Sequence, residues 1–332
     1  MTAANRSIRR AVFCADAQWT ALFGTGCRLA AALALALCAS VLAPPAPVQA
    51  QSAEDGPTAA ELRTITGERL VIAGRQRMLA EGMAANLCFA ESGVAAERSR
   101  NQLYVMWNVF SWYHRGIVKG NLELGLPPEP SKKVLTSWID VDRSWSELKE
   151  IYEPVLAGAS VSAAAFDRAI ALTNDVAQKS TVVVAALRSE HAKDLGQSGF
   201  GSGLLIDLYE RQRMLAERIS KNVCLIARGD RDEARLNDLS ETVNVFRASL
   251  DAFQNGLSDM GVPPPPTPGI AESLQAAQFH WQSVAAFAFA IVGGMELGDD
   301  AMSEFADTMN LFNSNMTAAL NQLVSHNNAQ GG

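Results

Sequence analysis

The heptapeptide RQRMLAE occurs twice, at residues 75–81 and again at residues 211–217. Internal repeats decide a fold reading before anything else does. Shifting the chain by 136 positions aligns far more than seven residues. Asn86 and Cys88 meet Asn222 and Cys224, and Gly93 meets Gly229. NVF at residues 108–110 meets NVF at 244–246, and GLPPEP from Gly125 meets GVPPPP from Gly261. Trp145 meets Trp281, Gly158 meets Gly294, and Asn174 meets Asn310. A constant offset with no gap means two copies of one fold.

Glycine and proline punctuate each copy into four helices. In the first copy, helix one spans about residues 59–91 and stops at Gly93, a C-terminal cap. Helix two runs to about Leu124, helix three carries Trp145 and ends near Gly158, and helix four starts after Ser162, an N-cap, and runs to about His191. The second copy repeats this from about Ser202 to His326. Short connections between long helices give an all-α fold of two tandem antiparallel four-helix bundles. The boundaries read as a leader over residues 1–50, bundle one over 51–195, a flexible glycine-rich linker (GQSGFGSG) over 196–203, and bundle two over 204–328.

The leader carries Arg6, Arg9, Arg10 and Arg28, an apolar run over residues 29–43, and Val48-Gln49-Ala50 as an A-x-A-like cleavage site. This predicts export to the periplasm by a cleaved signal peptide; retention as an anchor is the alternative, against which the run is short for a span of ~20 residues. The whole chain of 332 residues has a net charge of −7. Removing residues 1–50, which hold four Arg and one Asp, leaves 24 basic and 34 acidic residues, a net of −10. That balance, with no basic stripe, speaks against nucleic acid as a partner. No later apolar run is long enough to span a membrane.

Helix one shows where the motif points. Leu205, Leu208, Gln212, Leu215, Ile219, Asn222 and Ile226 fall at three-four spacing, the stripe a bundle helix buries. Ile72, Gln76, Leu79, Met83 and Asn86 match them in the first copy. Arg77, Met78, Glu81 and Cys88 lie on the far side of the helix, as do Arg213, Met214, Glu217 and Cys224. One reading is a solvated face with Arg–Glu pairs four residues apart. The other is that the two far faces meet. An up-down bundle returns the chain to its starting end, so the second helix one runs parallel to the first. The two bundles then lie side by side about a pseudo-twofold axis, and isologous packing brings Arg77 toward Arg213 and Cys88 toward Cys224. Two guanidinium groups need something negative between them. Glu81 and Glu217 can supply it, and so can a bound anion, since the guanidinium fork matches a trigonal oxyanion.

At these residues a family resemblance enters. The stretch AGRQRMLAEGM over residues 73–83 resembles the opening motif of the N-terminal domain of type IV pilus methyl-accepting chemotaxis transducers, the PilJ-like domain. It is also similar to the periplasmic P-box of nitrate/nitrite sensor histidine kinases. The resemblance implies a helical extracytoplasmic sensory domain with one nitrate- or nitrite-like anion on the twofold axis, held by an Arg from each half. Arg77 and Arg213 match that Arg, and Gly74 matches the glycine whose backbone approaches the anion; Arg75 and Arg211 are second choices. The second copy departs from the pattern, with Tyr209 for Ala and Glu210 for Gly. The resemblance implies a small anion as ligand and, as partner, a membrane-bound receptor or a pilus or chemotaxis component. The rival reading is an interaction module with no small ligand.

Other chemistry finds little support. There is no Glu-x-x-His pair for a di-iron site, no His is matched between copies, and no C-x-x-C-H motif marks haem, so no metal or cofactor is expected. No nucleophile–base set stands out, which argues against an enzyme. Trp145 and Trp281 read as core, while Trp107, Trp112, Tyr113 and Trp138 read either as core or as an exposed aromatic patch. Cys88 and Cys224 have three readings: buried small hydrophobes, a disulfide between the copies, or a disulfide between molecules. The middle one needs Cα atoms within ~7 Å.

Overall fold

Helix α1 (Ala59–Glu91) starts at Thr58, whose hydroxyl accepts from the Glu61 N–H while the Glu61 carboxylate takes the Thr58 N–H. It ends at Gly93, in the left-handed region at φ 79°, and the next amide, Val94, reaches back to the Phe89 carbonyl at 3.1 Å. The equivalent helix of the second copy ends in the same way. Gly229 has φ 102° and the Asp230 amide reaches the Leu225 carbonyl at 3.1 Å. The computed structural model describes residues 57–330, without the side chains of residues 195–202, 328 and 330. The expected leader lies outside the described residues.

The first copy continues with α2 (Ala96–Lys119), α3 (Lys132–Leu156) and α4 (Ala163–Glu190). The second comprises α5 (Ala192–Ala227), α6 (Glu233–Asn255), α7 (Pro268–Val292) and α8 (Asp299–Gln330). Equivalent hairpins join α2 to α3 and α6 to α7: the Asn121 amide bonds the Leu126 carbonyl and the Leu257 amide bonds the Val262 carbonyl, each at 2.7 Å. Among the described residues there is no β-strand, only the isolated bridges in these two hairpins. No described helix is long and apolar enough to cross a membrane.

Within each copy the repeated Gln of the motif has one job. Gln76 donates to the Phe110 carbonyl at 3.2 Å, and Gln212 donates to the Phe246 carbonyl at 2.8 Å. Both glutamines are fully buried, and each ties the motif helix to the NVF segment of the helix that follows it. Around these bonds Phe110 packs on Trp145 and Phe246 packs on Trp281, at centroid distances of 4.0 and 4.1 Å. The first-copy aromatics belong to the core and do not form an exposed patch: Trp138 and Tyr113 are buried, Trp107 and Trp112 are half-buried against the core, and Trp107 packs on Trp145.

Residues 196–203 differ from the expected linker. They lie inside α5, a helix of 36 residues, and the break between copies falls at His191. Each interior glycine costs a helix about 1 kcal/mol, but helix on both sides carries the backbone through. The turn itself is pinned. His191 Nε2 meets Glu129 Oε1 at 2.9 Å and its Nδ1 meets Asp194 Oδ2 at 3.0 Å, while Arg69 Nε lies 3.1 Å from the other Glu129 oxygen. The Glu129 hydrogen bond raises the His191 pKa, with burial opposing it.

Candidate functional site: the seam between the motif helices

The most extensive helix contact in the molecule is between α1 and α5. They run parallel and without stagger, because equivalent residues meet along their length. Gly74 packs on Glu210, Cys88 is bonded to Cys224, and Ser92 accepts from Arg228 at 3.4 Å. The positions 74, 81 and 88 recur every seven residues, the spacing of a parallel two-helix seam. Ala80 and Ala216 are fully buried and let the backbones approach. From Arg69 to Ala90, α1 is buried almost all round, its own bundle on one side and α5 on the other. The motif's far face is therefore an internal interface.

Cys88 and Cys224 form the disulfide between the copies, with Cα atoms 6.1 Å apart. It closes the C-terminal part of the seam, and both residues are buried.

The arginines of the seam do not share one partner. Arg77 Nη2 meets Asp207 Oδ1 at 2.6 Å, and Asp207 is also 3.4 Å from Arg188 Nη1. Arg213 Nη1 lies 3.1 and 3.0 Å from the two oxygens of Glu210. Glu210 is fully buried and sits over the backbone of Gly74: a Cβ added there would lie 2.7 Å from Glu210 Cβ and 2.9 Å from its Cγ. Arg75 Nε is 3.6 Å from Glu210, and Arg75 Nη1 donates to the Tyr113 hydroxyl at 2.8 Å. Gly74, Arg75, Arg77 and Arg213 are thus brought to one region. Arg211 is not: it is exposed, one residue round the helix from the seam, and its expected place in the site is corrected accordingly.

One turn on, Glu81 and Glu217 occupy equivalent positions in the seam and are both buried. Glu81 pairs with Lys221, itself buried and bonded to Asn174. Glu217 accepts from Asn313 at 2.8 Å. Burial pushes the Glu217 carboxyl up to about 7; Arg213 works against this and the Glu81 charge adds to it. Burial also lowers the Arg213 pKa, against the pull of Glu210.

The sequence reading gave Asp207, Lys221 and Asn313 no role, and it marked Asn174 only as a repeated residue. A signal for two of them was present in the repeat. Asp207 and Lys221 stand where the first copy has Val71 and Ala85, so each charge is new to one copy and faces the other.

Fold and seam together define a helical module in which two equivalent four-helix units are joined by their first helices. Residues 210–295, from the seam through α6 and α7, match the PilJ family, the type IV pili methyl-accepting chemotaxis transducer N-terminal domain. The match spans 86 of the 332 residues, all of them in the second copy. No curated protein matches the chain.

Proposed function

We propose that this chain is a sensory or adaptor module of the PilJ kind, in which both copies are PilJ-type domains and the seam between them is a covalent version of a dimer interface. It passes its signal by contact with a partner protein, a membrane-bound receptor or a pilus or chemotaxis component. The family match supports the sensory reading. The leader and the paired cysteines support a periplasmic setting, since disulfides persist in oxidising compartments.

One observation carries the choice between a free-anion sensor and an interaction module. Glu210 lies on the Gly74 cradle with both oxygens on Arg213, while Asp207 takes Arg77. The charge that an oxyanion would bring to these arginines is already present as two carboxylates of the second copy. A further anion meets carboxylates that repel it, and each of the two guanidinium groups already holds a carboxylate of the second copy, Arg77 at 2.6 Å and Arg213 at 3.0 Å.

Thermal unfolding of the chain in sodium nitrate, nitrite and chloride at matched ionic strength tests this. The expected midpoints are equal. A ligand at 100 times its dissociation constant adds ~2.7 kcal/mol; a nitrate-specific rise of that size, lost in Arg77→Ala, would return the function to oxyanion sensing.

A further inference from the structure

The third helices of the two copies, α3 and α7, are equivalent in position and opposite in surface. On the outer face of α3 stand Asp140, Arg143, Glu147, Glu150 and Glu153, all exposed. The equivalent residues of α7 are Ala276, Phe279, Ser283, Ala286 and Phe289. Every one of five charges is replaced by a small or aromatic side chain. From Ser273 to Met295 the chain carries no Asp, Glu, Lys or Arg. Phe279 is 71% exposed and Phe289 53%. Neither is needed to fill the bundle, whose core takes Leu274, Ala277, Trp281, Val284, Ala288 and Ile291 from the other side of the same helix. Aromatic rings held in water along one stripe mark a surface that something covers.

The order of residues along the stripe indicates what covers it. Consider a twofold axis between Gln282 and Ser283, with a second α7 laid antiparallel. Phe279 then faces Ala286 of the other copy and Gln275 faces Ala290, while Gln282 and Ser283 lie nearest the axis. Each large side chain meets a small one, as interdigitating helices require, and each contact occurs twice, as an isologous interface requires. The charge distribution agrees. Two chains of net charge −7 repel over most of their surfaces, and a charge-free stripe is where they approach at least cost.

We propose that α7 is a self-association surface through which two copies of this chain pair, α7 against antiparallel α7. A helix of 25 residues is ~37 Å long. A strip of that length buries on the order of 400 Å² per copy, about half of a standard interface, so the dimer is weak and half-formed at ~10–100 μM protein. Pairing at α7 leaves the α1–α5 seam undisturbed and sets two double bundles side by side, a means of clustering a sensory module.

Sedimentation velocity of the full chain from about 1 to 300 μM should show a concentration-dependent monomer–dimer equilibrium. Phe279→Glu should raise the dissociation constant at least tenfold, because the change enters the interface twice; Glu150→Ala, on the equivalent face of α3, should leave it unchanged. Ser283→Cys should give a dimer linked through position 283 on mild oxidation, the linked peptide identified by mass spectrometry, and Ala248→Cys on the exposed face of α6 should not. Phe279 is exposed, so its substitution leaves the fold intact, which a circular dichroism melt verifies. A chain that stays monomeric throughout overturns the proposal, as does a dimer indifferent to Phe279→Glu or one that forms no link at position 283.

Discussion

Helices α1 and α5 carry the same heptapeptide and have become different halves of one joint. At three positions of the seam α1 carries small or uncharged residues, Val71, Gly74 and Ala85. In α5 the same positions are Asp207, Glu210 and Lys221, and each of these side chains reaches α1. One helix offers room and the other fills it, most clearly where Glu210 lies on Gly74. A symmetric pair of identical helices must use each residue twice, so a buried charge on the axis faces its own copy. Duplication within one chain lifts that restriction. Asp207 answers Arg77, Lys221 answers Glu81, and Glu210 answers Arg75 across the seam while it holds Arg213 within its own helix. The difference between the copies lets a buried charge on one motif helix meet an opposite charge on the other.

The largest way to break this asymmetry is Glu210→Ala. It leaves Arg213 and Arg75 without their carboxylate, and stranding a buried charge costs about 3–5 kcal/mol. Denaturant unfolding reads that loss directly. Opening the disulfide comes next. Cys88→Ser with Cys224→Ser should lower stability by about 2–4 kcal/mol, since the bond constrains a long loop of the unfolded chain; a reducing agent should lower the melting midpoint of the wild type and not of the double variant.

Gly74→Ala should cost about 1–3 kcal/mol, because the new methyl meets Glu210 Cβ, which cannot swing away. In a Glu210→Gly background the same change should cost far less, and a double-mutant cycle measures the difference. Glu217 sharpens the comparison by pH. Its carboxyl ionises near 4.5 in the unfolded chain and near 7 in the fold, so between those values the folded chain holds the extra proton and stability falls as pH rises. Glu217→Gln should remove a fall of up to about 3 kcal/mol from the pH–stability curve between about 4.5 and 7. The smallest effect separates the two leading arginines of the heptapeptide. Arg211→Ala, on the surface, should change stability by less than ~0.5 kcal/mol. Arg75→Ala, which loses the bond to Tyr113 and the pair with Glu210, should cost about 1–2 kcal/mol.

Much of this architecture was legible in the residues. Gly93, Gly158, Gly229 and Gly294 all take positive φ at helix ends, so a local signal placed the ends of helices one and three in each copy. The parallel seam followed from counting helices and asking which face kept Arg, Glu and Cys. What the residues did not show was pairing across the seam. Which carboxylate reaches Arg77 depends on the rotation of α5 about its axis, and a pattern of spacing carries no such information. The linker was misread for a related reason. Four glycines in eight residues look like a break, yet the turn is made at His191 by Glu129 and Asp194, one of them 62 residues away.

We propose that Glu210 stands in for an anion at the arginines of the seam. Replacing it with the glycine that the first copy carries, Glu210→Gly, and repeating the nitrate and chloride melts tests this most directly. The variant is expected to be less stable than wild type and to regain stability in nitrate beyond what chloride gives, while the wild type responds to neither. A Glu210→Gly chain that is destabilised and equally indifferent to both salts would contradict it, and the arginines would then be structural groups with no anion site between them.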